Sequence, residues 1–224
     1  MAKTPQSVII ANLLESLADV AKLKSLDITP WWNLSKNGKH IAVEAYDLGG
    51  FAHVSCLYSN TMFSINTGET LILTPYAKDM PLFIVDFSRH FHEETLNLEF
   101  YDLQISPIDL SDVGLAAPQY KELPASQLPS GFHDQHRMAP SYGVKGRDCG
   151  AKMKEIADYT MRAYAQMLQK AQPCDEAAKR KIVDQHVEAL LVSDSPNVAF
   201  YRKALPENDV PTFVRKVIYG LRQD

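Results

Sequence analysis

From about residue 40 the chain becomes a succession of short runs rich in β-branched and aromatic residues, among them AHVSCLY, TMFSIN, ETLILT, PLFIVDF and TLNLEFYDLQ. Runs of this length and composition read as strands. The links between them are too short for helical crossovers, and Ser59-Asn60 and Asn66-Thr67-Gly68 supply tight-turn residues, so consecutive strands are expected to pair as antiparallel hairpins. A sheet of this kind must find cover for its apolar face, and helical sequence lies on both sides of it.

Before the sheet, Val8, Leu13, Leu14, Leu17, Val20, Ala21 and Leu23 fall on one helical stripe. After it, residues 107–150 are punctuated by proline and glycine and form a long connection of the sort that covers a ligand. Met153, Ile156, Ala157, Thr160, Tyr164, Met167 and Leu168 then share one face of a helix that Pro173 stops. Further helices are expected over Glu176 to Leu191, Asn197 to Ala204, and from about Val210 to Leu221, the last opened by Pro211. The expected fold is therefore α+β, a three-layer α/β/α sandwich with a central antiparallel sheet flanked by N- and C-terminal helices, as one domain over 1–224.

Composition narrows the function. A formal charge of -4 and a pI near 6.0 argue against a main role in nucleic-acid binding, which needs a concentrated basic face. No stretch approaches the ~20 apolar residues of a membrane helix, and the opening segment has no signal-peptide cleavage pattern. Cys56, Cys149 and Cys174 are far apart and fit reduced thiols in the cytoplasm. There is no dinucleotide fingerprint, phosphate loop or G-x-S-x-G elbow, so no bound cofactor is expected. His90 and His92 suggest a metal pair, yet no third ligand has suitable spacing, and a solvated strand end beside Arg89, Glu93 and Glu94 accounts for them; no metal is expected.

Asp86 interrupts the most apolar run. Strand alternation gives Leu82, Ile84 and Asp86 one face and Phe83, Val85 and Phe87 the other. A carboxyl buried there would have a raised pKa and could hold a proton at neutral pH and give it away. The other reading is a strand-end carboxylate satisfied by solvent, Arg89 or backbone donors.

The segment LILTPYAKDMPLFIVDF resembles the ferredoxin-dependent bilin reductases, in which an apolar strand ends in proline, a loop leads to a D-x-P-x-[FL] element, and an Asp follows; the matching positions are Pro75, Asp79, Pro81, Phe83 and Asp86. LNLEFYDLQISPI resembles the family's next strand, with Asp102 and Gln104 matching its D-x-[QS]-P ending and the proline displaced to Pro107. DYTMRAYAQMLQKAQP and the tail from Asp184 to Leu221 resemble its C-terminal helices. The likeness runs from about residue 67 to 221.

This resemblance implies a linear tetrapyrrole, biliverdin IXα or a dihydrobiliverdin, enclosed between the sheet and the C-terminal helices. It is reduced to a phytobilin through bilin radicals by electrons from a reduced 2Fe–2S ferredoxin, with no redox group resident in the protein. It makes Asp86 and Asp194 the candidate catalytic proton donors, with Ser195 the alternative in a gapless alignment. Thr70, a candidate substrate-binding residue, falls at the position of a catalytic histidine in the phycocyanobilin-forming branch, and no Glu lies between Glu44 and Glu69, so that branch's Glu–His pair is missing. Reduction at a methine bridge or the A-ring diene is then more plausible than at the D-ring vinyl group. Arg137 and Arg147 are the candidates for the bilin propionates, and Lys145, Arg147, Arg202, Lys203, Arg215, Lys216 and Arg222 for a basic face toward acidic ferredoxin. The competing readings are a bilin-binding protein of the same fold without catalysis, and an α+β interaction module.

Overall fold

The computed structural model describes residues 9–36, 39–61, 66–114, 121–193 and 195–221. A helix, α1 (Ile10–Ala18), leads into an antiparallel sheet of β1 (Leu23–Ser25), β2 (Asn33–Lys36), β3 (Lys39–Leu48), β4 (Ala52–Thr61), β5 (Asn66–Pro75), β6 (Leu82–His90) and β7 (Glu93–Tyr101). A short helix, α2 (Ser111–Gly114), precedes the edge strand β8 (Tyr142–Arg147). Then follow α3 (Gly150–Lys170), α4 (Glu176–Val192), α5 (Pro196–Ala204) and α6 (Val210–Thr212). The strand order is β1-β3-β4-β5-β6-β7-β8, with β2 also on β3, and every pairing is antiparallel.

Strand alternation divides the core in two. Cys56, Leu71, Val85 and Leu98 point to one side, where α1 and α3 cover them; Leu57, Ile72, Ile84 and Tyr101 point to the other, under α4, α5 and the C-terminal segment. The result is the α/β/α sandwich the sequence predicts. On α3 the buried stripe is Met153, Ile156, Ala157, Thr160, Met161, Tyr164 and Leu168, a helical spacing that needs the sheet to bury it.

Helix ends are tied to the sheet or capped locally. The backbone N–H groups of Ile9 and Ile10 donate to Glu69 Oε2 at 3.0 and 3.2 Å, so a strand carboxylate serves the start of α1. Asp175 caps α4 through Ala177 and Ala178, and Pro196 opens α5.

Several expected boundaries move. The first helix ends at Ala18, and Leu23 belongs to β1. Ser59 and Asn60 lie inside β4, and Asn66, Thr67 and Gly68 inside β5; residues 62–65, most of the expected TMFSIN strand, lie outside the described residues. The last helix leaves α geometry after Thr212 and runs as a π-helical turn over Phe213–Ile218. Its carbonyls are taken by the sheet: His53 Nε2 lies 2.8 Å from the Val217 oxygen, Ser55 Oγ donates to that of Ile218 at 3.0 Å, and the Tyr76 hydroxyl donates to that of Tyr219. Burial pushes the His53 pKa down to about 4, so the ring is neutral and donates through Nε2. Gly220 closes the turn at φ +66°, where a Cβ would stand 2.4 Å from the His53 ring.

Candidate functional site

Cross-strand register sets one row of side chains over the C-terminal face: Leu57, Thr70, Asp86 and Asn97 stand opposite one another on β4, β5, β6 and β7. Asp86 therefore sits mid-sheet, not at a strand end. Its Oδ1 accepts a 2.7 Å hydrogen bond from Thr70 Oγ1. Burial raises the Asp86 pKa, the Thr70 hydroxyl opposes that shift, and the Glu99 charge adds to it. Each effect has the expected sign: a desolvated carboxylate takes up a proton, a donor favours the anion, and a second carboxylate disfavours it.

Glu99 is the residue that sequence reading missed. It lies on β7 opposite Ile84 and faces the same side as Asp86. The signal was present in TLNLEFY, where Asn97, Glu99 and Tyr101 alternate with Leu96, Leu98 and Phe100. Glu99 Oε2 accepts from the Tyr101 hydroxyl at 2.7 Å and from Arg137 Nε at 3.0 Å. Burial nevertheless raises its pKa, against the pull of Tyr101 and Arg137.

The two carboxyl groups share a cavity of about 140 Å³. Thr70, Ile72 and Ile84 complete its sheet wall, and Leu190, Asn197 and Tyr201 from α4 and α5 roof it with Ile218 and Tyr219. Thr70, Asp86, Asn197 and Tyr201 also line a second cavity of about 290 Å³, which runs over Leu57, Gly68 and Ser88 toward Phe200. Asp86 thus stands where two hollows between sheet and α5 meet. Sites for organic ligands are concave and mostly apolar with a few convergent polar groups, typically ~300–1,000 Å³.

The other expected site residues are dispersed. Asp194 lies outside the described residues, although its near neighbours Pro196 and Asn197 line the cavity. Ser195 is buried and accepts no N-cap hydrogen bond at the start of α5. Arg137 is close to the site but stands behind Glu99, where its guanidinium also donates to Asp134 and to the Pro129 carbonyl. Arg147 is exposed at the end of β8. It is four residues beyond Gly143, the β8 residue in the Asp86 row, hence ~13 Å along the strand.

Of the basic residues considered for an acidic partner, Arg215 is engaged by Asp184 and Glu188, while Lys145, Arg147, Arg202 and Lys203 are exposed. Arg222 lies outside the described residues. His90 ends β6 against Asn66, and His92, in the turn after it, contacts Asp148 at 3.1 Å, so the two do not face one point. Among the described residues no three His, Cys, Asp or Glu side chains gather as metal ligands, and no helix is long and apolar enough to cross a membrane.

Asp79 and Pro81 hold the frame. Asp79 accepts from the backbone N–H groups of Ile105 and Ser106 at 2.7 and 2.9 Å and lies 3.6 Å from the buried Lys179 ammonium. The Pro81 carbonyl accepts from the Tyr164 hydroxyl at 2.6 Å. These bonds tie the β5–β6 connection to the chain after β7, to α4 and to α3, and so fix the strand that carries Asp86.

An antiparallel sheet between two helical layers, with paired carboxyls under the C-terminal one, is the arrangement to compare with known proteins. No protein-family model matches the sequence, and no curated protein matches it. Among solved structures, the chain is similar to tomato phytochromobilin synthase, crystallised in complex with biliverdin. The TM-score is 0.70 at 11% sequence identity, over 94% of this chain and 81% of that one. The shared fold is thereby shown.

Proposed function

We propose that this protein binds a linear tetrapyrrole between the sheet and the C-terminal helices and reduces it, with Asp86 as the central proton donor. The observation that carries this reading is the place of Asp86: a carboxyl with a raised pKa at the meeting of two cavities. It lies in a fold shared with a phytobilin synthase solved with biliverdin. The sequence resemblance to ferredoxin-dependent bilin reductases supports the same class of pigment and names the electron source.

The chemistry of the site suits such a ligand. A bilin presents pyrrole N–H donors on its inner edge, and Asp86 and Glu99 offer acceptors on the cavity wall. Tyr201, Tyr219, Ile72 and Ile84 supply apolar contact for a flat conjugated ring system. Reduction of one double bond takes two electrons and two protons. Electrons from a 2Fe–2S ferredoxin arrive singly, so a bilin radical lies on the path. Each electron makes the bilin more basic, and a carboxyl whose pKa burial raises can take up a proton and pass it on. The second proton is assigned to Asp194.

One observation favours a second reading, a bilin-binding protein without turnover: Leu57, which is apolar, and Thr70 occupy adjacent places in the Asp86 row, where a catalytic Glu–His pair would need to stand. Titration with biliverdin, followed by reduced ferredoxin under anaerobic conditions, separates the two. The reductase reading expects a red-shifted bound spectrum at near 1:1 stoichiometry and its conversion only after ferredoxin is added. A stable bound spectrum would establish the second reading, and the absence of any spectral change would overturn both.

A further inference from the structure

The face of the sheet turned away from Asp86 carries a second hollow. Glu44 on β3 stands in a cross-strand row with Cys56, Leu71 and Val85, all three part of the core beneath α1 and α3. Over β3 this layer gives way to a cavity of about 470 Å³ between the strands and the link from β1 to β2, residues 26–32.

Its lining carries two carboxyl side chains, Glu44 and Asp27, and one imidazole, His40. Glu44 Oε2 accepts from the hydroxyls of Tyr46 and Tyr58 at 3.0 and 3.3 Å, so both phenols hold the carboxyl in place through one oxygen. The Tyr58 ring is buried and that of Tyr46 partly so, and desolvation raises both pKa values, which keeps the hydroxyls protonated as donors. Asn60 Oδ1, buried in the same wall, has no hydrogen-bond partner among the described residues. Asp27 adds a carboxyl at the rim, where the Thr29 N–H holds its pKa below the usual value. Among the described residues the lining contains no lysine or arginine.

The Glu44 carboxyl facing aromatic rings complements positive charge, and Trp32, about half exposed at the mouth, adds an indole face to the two phenol rings. We propose that this cavity is a second binding site, for a small organic cation that carries N–H donors, an alkylammonium group. It would donate to the Glu44 carboxylate while the aromatic rings enclose its alkyl part. The carboxyl groups disfavour an anion, and a quaternary ammonium ion has no N–H to give Glu44.

The site is tested on the full chain by titrating 1,4-diaminobutane, with tetramethylammonium and inorganic phosphate as controls at matched ionic strength. Binding is followed by calorimetry and by the NMR shift of the Trp32 indole N–H, assigned with Trp32→Phe. The diamine is expected to saturate with a dissociation constant of about 1 mM or below and to shift Trp32. Tetramethylammonium should bind more weakly and phosphate not at all. Glu44→Gln, which preserves shape, should weaken the diamine about tenfold. Tyr58→Phe, which removes one of the two phenols that hold Glu44, should weaken it less and serves if Glu44→Gln does not fold. No saturable binding, binding without a Trp32 shift, or equal affinity in a folded Glu44→Gln or Tyr58→Phe variant would overturn the proposal.

Discussion

Thr70 Oγ1 lies 2.7 Å from Asp86 Oδ1 across the β5–β6 pairing, and it donates to a carboxyl that burial pushes toward protonation. The two influences oppose each other, so Thr70 limits how far burial raises the Asp86 pKa. Thr70→Val keeps the shape and removes the donor. Hydrogen bonds to charged groups contribute ~1.5–3 kcal/mol, so the Asp86 pKa should rise by about one unit or more. The alkaline limb of the pH–rate profile for bilin reduction is expected to move upward. A downward or absent shift would mean that Asp86 does not set that limb.

Asp86 also makes a stability prediction. A carboxyl whose pKa is higher in the folded than in the unfolded state binds protons better when folded. Its stabilising contribution is complete below the unfolded pKa near 3.8 and is lost as pH rises through the folded pKa. Asp86→Asn, which removes the ionisable group, should therefore raise the melting temperature at pH 8 and have little effect near pH 3.5. Thermal denaturation of both proteins across that range checks the sign.

Arg137 and Glu99 are both largely buried, with side-chain exposures of 13% and 5%. Removing one member of such a pair strands the other, at a cost on the order of 3 kcal/mol. Arg137→Gln should lose about that much in urea denaturation at neutral pH and less in acid, where Glu99 is protonated. Adding Glu99→Gln should recover most of the loss. Additive losses in the double variant would show that the two do not act as a pair.

How far the sequence reveals this structure depends on how strictly each segment keeps its period. PLFIVDF is a continuous apolar run that only Asp86 interrupts, and both the strand and the face of Asp86 are legible from it. The polar face of β7 reads as ordinary solvent exposure until β6, β8 and the C-terminal helices enclose it, which is why Glu99 is missed. β3 escapes notice because Glu44 and Asp47 interrupt its apolar residues. Gly68 reads as a turn residue, yet it lies in the ladder, where a Cβ would stand 2.7 Å from the Ser59 side-chain hydroxyl. The π-helical turn has no sequence period of its own. It follows from the carbonyl acceptors that His53, Ser55 and Tyr76 require, a tertiary demand that local pattern does not encode.

The assignment of the second proton to Asp194 separates it from its neighbour. Asp194→Asn should slow turnover at least tenfold or halt it at a partly reduced bilin, because the transferable proton is gone while size and polarity remain. Ser195→Ala should leave the product unchanged. Product analysis by absorption and chromatography checks this, and the reverse pattern would assign the role to Ser195.

The central claim is that Asp86 delivers a proton to a bilin that has received an electron. The most direct measurement is a single anaerobic turnover of biliverdin with chemically reduced ferredoxin, followed by optical and electron paramagnetic resonance spectra for the wild type and Asp86→Asn. The variant is expected to bind biliverdin, accept the first electron, and then hold a long-lived organic radical with little final product, while the wild type passes on to product. Normal product from Asp86→Asn at a near wild-type rate would contradict the account and make Asp86 a structural residue of its strand.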